Sequence, residues 1–137
     1  ELTSVMQLTE TDMTILFRTL STIQEPDSNH LARAFYREEE IPQNEWDSWL
    51  DRWWDRVDGR PDRESMMNAN PKYVLRNWIA QLAIDAAEKE DYSVATALYE
   101  MLKKPYDEQP GNEEKWFSRR PEWARNRVGC SMLSCSS

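Results

Sequence analysis

The sequence predicts an all-α fold, and three observations predict it. Only three glycines occur, Gly59, Gly111 and Gly129, each lying between periodic segments. Charged residues make up 31% of the chain, as suits helices with a solvated face. Apolar residues recur at three- and four-residue steps rather than alternating. The expected architecture is an irregular bundle of about five to seven helices around a central antiparallel helix pair, ending in an irregular tail. The division expected is one helical domain over 1–124 and a cysteine-containing tail over 125–137. At 137 residues the chain is long enough to bury a real core.

In chain order, Leu2 to Leu8 reads as a helix end. The next helix runs near Asp12 to Ile23 with Met13, Leu16, Phe17 and Leu20 as its buried face. Gln24 to Asp27 is a turn, and Ser28 or Asn29 caps a short helix through Tyr36. Glu38, Glu39 and Glu40 form a solvated acidic run. From Asn44, Trp46, Trp49, Leu50, Trp53 and Val57 make one stripe of a helix that stops at Gly59. Asp47, Asp51 and Asp55 share its far side with Arg52 and Arg56, which reads as a solvated face rather than a carboxylate pair for hydrolysis. A short helix follows near Pro61 to Ala69.

The organising stretch is Asn70 to Tyr92, N-P-K-Y-V-L-R-N-W-I-A-Q-L-A-I-D-A-A-E-K-E-D-Y. Asn70 suits an N-cap and Pro71 the first helical position. Val74, Leu75, Trp78, Ile79, Leu82 and Ala86 form its apolar stripe. Arg76 and Asn77 are the polar members of an R-N-W cluster, and a planar guanidinium fork there suits tying carbonyls together. Ser93 caps a following helix with Val94, Leu98, Met101 and Leu102 as its stripe, and Pro105 stops it. Tyr106 to Asn112 reads as a loop, Glu113 to Phe117 as one turn and Pro121 to Ala124 as another.

Charge is unevenly spread. Residues 1–69 carry seven Lys and Arg against fifteen Asp and Glu, whereas residues 70–137 carry ten of each. An acidic body opposes nucleic-acid binding. No apolar run is long enough to span a membrane, and no signal-peptide pattern opens the chain. The chain begins at Glu1, as expected of an excised fragment. His30 and two cysteines do not assemble a His/Cys zinc set, and His30 reads as an exposed or helix-terminal residue. No glycine-rich phosphate loop and no kinase H-R-D or D-F-G segment is present, so no catalytic, cofactor-binding or metal residue is expected here. The Trp46, Trp49 and Trp53 stripe has two readings, core or an interface for a partner. Cys130 and Cys135 remain as thiols that need not be buried, near Arg125 and Arg127, whose charge favours the thiolate.

The stretch N-P-K-Y-V-L-R-N-W-I-A-Q, then A-A-E-K-x-D-Y, then K-P-Y-D-E-Q-P from Lys104 to Pro110, resembles the C-terminal region of the selenoprotein O (YdiU-like) family. Pro121-Glu122-Trp123 and the ending Cys135-Ser136-Ser137 resemble it too, and Asp12-Met13-Thr14 with Phe17-Arg18-Thr19-Leu20 does so more loosely. The resemblance implies a protein adenylyltransferase, a kinase-like enzyme moving AMP from ATP to protein hydroxyls. Its ATP and Mg would be held by an N-terminal kinase-like domain absent from this chain, the expected partner alongside protein substrates. It implies a cytoplasmic location in a bacterium or a mitochondrial one in a eukaryote. It also implies a redox role for Cys135, the family's antepenultimate position. Here the spacing is C-x4-C rather than the family's C-x-x-C form, which puts a local Cys130–Cys135 bond in doubt. Two other readings stay open: an independent helical interaction module, and, on thinner grounds, a thiol oxidoreductase lacking any C-x-x-C.

Overall fold

A computed structural model describes residues 1–130. Among the described residues there are seven α-helices, three short 3-10 helices and no strand beyond one isolated bridge, so the all-α expectation holds. The chain divides into two compact units, Glu1–Pro71 and the stretch from Lys72 onward.

The first unit contains α1 (Leu2–Met6), α2 (Met13–Leu20), 3-10 turns at Ser28–Ala34 and Glu38–Glu40, α3 (Gln43–Arg56) and α4 (Arg63–Ala69). Asp12 caps α2 by accepting the Ile15 N–H at 3.0 Å, satisfying one of the donors a helix start leaves free. The segment after the first 3-10 turn is fastened to that cap. Asp12 N–H donates to the Ala34 carbonyl at 2.7 Å and Tyr36 N–H to that of Glu10 at 3.0 Å, and the Tyr36 hydroxyl donates to Asp12 Oδ2 at 3.3 Å. The buried face of α2 is Ile15, Leu16 and Leu20. It is rotated from the expected one, because Met13 is 55% exposed and Phe17 half-buried.

Helix α3 supplies the aromatic core. Trp46 is fully buried, 5.0 Å between ring centroids from Phe35 and 6.0 Å edge-on from Trp49. Trp49 in turn stacks on the half-buried Trp53 at 6.0 Å with planes 10° apart. The helix closes with a left-handed residue: Asp58 has φ +53°, its N–H donates to Asp55, and the Gly59 N–H donates back to Trp54. That pair of reversed bonds satisfies the last carbonyls. Arg18, 3% exposed, donates to the Met67 and Asn70 carbonyls at 2.9 and 3.0 Å, placing a cation at the end of α4, where the helix dipole favours it.

The second unit contains α5 (Asn77–Ala87), α6 (Ser93–Leu102), α7 (Pro110–Trp116) and a 3-10 turn at Glu122–Ala124. Helices α5 and α6 pack against each other across the short connection 88–92, in which Glu90 takes φ +63° to end α5. Trp78 and Ile79 are the buried residues of α5, and Leu98 and Met101 those of α6.

Here the sequence expectation needs correction. Asn70 does not cap a helix start. It terminates α4, with its side-chain amide donating to the Met66 carbonyl at 2.7 Å. Pro71 is not a first helical residue, and α5 begins only at Asn77 with Arg76 in extended geometry as its cap. Residues 71–76 stay non-helical. The Arg76 N–H leaves the helical ladder: a helix begun at Pro71 would give it to the Lys72 carbonyl, but it donates to the Val74 carbonyl at 2.9 Å, while the Lys72 and Tyr73 N–H groups anchor the segment on the Pro105 carbonyl at 2.8 and 3.1 Å. Leu75, expected in the apolar stripe, is 49% exposed. Conversely, the loop expected over Tyr106 to Asn112 gives way early to α7, with Pro110 at its start, where a fixed φ and a missing N–H cost nothing.

Candidate functional site

The strongest concentration of buried polar chemistry lies where the non-helical segment 72–76 meets residues 105–118 within the second unit. Lys72 is 3% exposed, yet charged. Its Nζ donates to Glu108 Oε2 at 2.7 Å and to Glu113 Oε2 at 2.8 Å. It also lies 5.3 Å from the Phe117 ring centroid and 5.9 Å from that of Tyr73, close enough for cation–π attraction. Burial alone pulls the ammonium pKa down, but the hydrogen bonds to Glu108 and Glu113 outweigh it and hold Lys72 above its ordinary value. An ammonium so held is a fixed charge and not a nucleophile.

The neighbours of Lys72 are equally committed. The Tyr73 hydroxyl, on a side chain 1% exposed, donates toward the Glu108 and Gln109 carbonyls at 2.8 and 2.9 Å. These contacts hold the backbone just before α7, where Gln109 sits at φ +38°. Arg76, 4% exposed, donates from Nη1 to the Ser118 carbonyl at 3.1 Å, the carbonyl-tying use expected of it. Asn77 opens α5, and Trp78 is 4% exposed with no partner for its indole N–H. Chemically this constellation can clamp loops; nothing in it presents a free base or nucleophile.

A second grouping surrounds the described end of the chain. Arg127 grips Asp85 on α5 with two 2.7 Å bonds and lies 5.6 Å from the Trp123 ring centroid. That hydrogen bonding, with a further one from Gln81, holds the Asp85 carboxyl below the usual carboxylate range. Cys130 follows, completely buried, its N–H donating to the Arg127 carbonyl at 3.0 Å. The expectation that this thiol need not be buried is therefore corrected. Cys135 lies outside the described residues.

The other candidates are far less concentrated. Trp46 and Trp49 are buried in the core of the first unit and Trp53 is half-buried there. His30 is exposed, its Nε2 3.4 Å from Glu25. With Asp27 these two bring their ligand atoms within 4.8 Å of one another, a grouping the sequence reading did not pick out. Asp27 already has a use there, capping the 3-10 turn through the Asn29 N–H at 2.8 Å. Lys72 and Arg18 were also missed. Both occur in stretches rich in apolar residues, and a cation in such a place is the sequence signal that could have found them.

No protein-family model matches the chain. It is 52% identical to the protein nucleotidyltransferase YdiU of Flavobacterium johnsoniae over 99% of its own length and 28% of that protein. It is 45% identical to YdiU of Rhodopirellula baltica, over 99% of the chain and 29% of the relative. For YdiU of Xanthomonas campestris pv. campestris strain B100 the identity is 47%, over 100% of the chain and 28% of the relative. The chain thus spans less than a third of the length of the curated relatives it matches, all of them bacterial. No helix among the described residues is long and apolar enough to cross a membrane. The chain belongs to the YdiU family of protein nucleotidyltransferases and corresponds to its C-terminal part.

Proposed function

We propose that this chain is the non-catalytic helical portion of an ATP-dependent protein adenylyltransferase, packing on a kinase-like domain that the rest of the polypeptide forms. The observation that carries it is a match running the whole length of this chain but only 28% of a nucleotidyltransferase. Two features support it. The sequence offers no glycine-rich loop to cradle a triphosphate. The buried cations Arg18, Lys72 and Arg76 bond to groups of their own unit. ATP and Mg would be held by the remaining polypeptide, with protein hydroxyls as acceptors and a bacterial cytoplasm as the location. Cys135 would act as a thiol switch, and the burial of Cys130 supports assigning that role to Cys135 rather than to a local pair.

The test incubates the full-length protein and this chain separately with labelled ATP, Mg and a protein acceptor. Label should reach the acceptor only with the full-length protein. Transfer by this chain alone would refute the reading. For the switch, alkylation of Cys135 in the full-length protein should differ between oxidising and reducing conditions. Equal labelling would remove the redox role while leaving the scaffold role intact.

A further inference from the structure

Helix α6 is held from one side only. Leu98 and Met101 are its buried residues, while Ala95, Thr96 and Tyr99 on other faces are exposed. A ten-residue helix gains most of its stability from tertiary packing rather than propensity. The outward strip is regular. Tyr92 and Tyr99 stand two turns apart, 62% and 65% exposed, with Ala95 and Thr96 forming a low floor between them. Lys103 lies 4.7 Å over the Tyr99 ring and is bound to Glu100 at 2.8 Å, so its charge is balanced. In a chain of net charge −8, the strip from Tyr92 through Ala95 and Thr96 to Tyr99 carries no carboxylate. Single exposed apolar residues are ordinary. A row of tyrosines over small residues is the composition of an interface core, since tyrosine covers large area at little entropic cost.

We propose that the Tyr92–Tyr99 face of α6 is the seat for the part of the family's polypeptide that lies outside this chain. The occupant follows from lengths and chemistry. This chain spans only 28% of its Flavobacterium relative, and a larger body on the same polypeptide meets an uncharged aromatic strip at far higher effective concentration than any free partner. The proposal rests on the scaffold role above and specifies the surface that performs it.

The experiment places the photo-reactive residue p-benzoylphenylalanine at position 99 of the full-length protein, a position 65% exposed in this chain. Irradiation followed by mass spectrometry should yield a cross-link at monomer mass to polypeptide outside residues 1–137. As a second reading, nitration of Tyr99 in the native full-length protein should be slower than in the denatured protein. Cross-links at dimer mass would assign the face to a second copy. Cross-links confined to this chain, residues 131–137 included, would assign it to an internal contact. Either result, or nitration at the denatured rate, overturns the proposal. Label transfer from ATP is measured on the same preparation. Transfer without the cross-link sinks the surface and spares the function, whereas the cross-link without transfer does the reverse.

Discussion

The two units solve the same problem by different means. Residues 1–71 are assembled around rings: Phe35, Trp46, Trp49 and Trp53 touch in sequence, and polar ties such as Arg18 fasten the edge. The described part of the second unit is assembled around charges and carbonyls: Lys72 between two glutamates, Tyr73 and Arg76 on loop backbone, Arg127 on Asp85. The contrast teaches where each unit is vulnerable. A ring core is lost by making a void, since close-packed interiors relax only partly. A network of buried donors is lost by removing one partner, since the remaining group keeps its desolvation cost.

The largest expected effect tests the ring side. Trp46→Ala should destabilise the first unit by about 3–5 kcal/mol, read as faster amide hydrogen exchange across residues 1–71. An equal loss of protection across 72–130 would break the comparison, because the aromatic core would then serve both units. On the charge side, Lys72→Ala should cost about 2 kcal/mol, moderated because Glu108 and Glu113 are 57% and 39% exposed and can recover water. Lys72→Met keeps the stem packed on Tyr73 and Phe117 and should recover part of that loss. If both substitutions are neutral in a denaturant titration, the charge-centred account of this unit fails.

The pH dependence follows with its sign fixed by the shift. The folded-state pKa of Lys72 is raised, so its contribution is complete below the unfolded value of about 10.4 and disappears as pH rises through the folded value. Alkaline titration should therefore loosen 72–118 while sparing the ring core. A smaller gain is expected from Glu90→Gly, which removes the side-chain strain of a left-handed residue at the end of α5 and should stabilise by about 0.5–1 kcal/mol. Smallest of all is Arg127→Gln, which breaks an exposed pair. The depressed Asp85 carboxyl contributes stability above its unfolded pKa and loses it as pH falls through the folded one. Wild type and variant should thus converge in acid, and in high salt at neutral pH.

What could be read from the residues depended on how local the cause was. The periodicity of Trp46, Trp49 and Leu50 places α3 and its buried face, because a helix repeats its environment every turn. The same logic finds Leu98 and Met101 on α6. It fails over Asn70 to Arg76, where a good capping pair is followed by a segment anchored on the distant Pro105 carbonyl, with the Arg76 N–H turned to Val74 instead of the helical Lys72 carbonyl. Of the site residues, Arg76 was legible as a carbonyl clamp, since few other roles suit a guanidinium beside a buried tryptophan. Lys72 was not, because nothing in N-P-K-Y says that Glu108 and Glu113 will converge on it.

The sequence by itself determined the helical class, the family and the uneven charge that leaves the first seventy or so residues acidic. These follow from composition, period and motif, all of which are properties of neighbours along the chain. Only the tertiary structure decided where α5 begins, that Cys130 is sealed away, and that Lys72 is buried against Glu108 and Glu113. Each of those depends on groups distant in sequence meeting in one place, where desolvation makes a buried charge or an unpaired N–H too costly to leave without a partner.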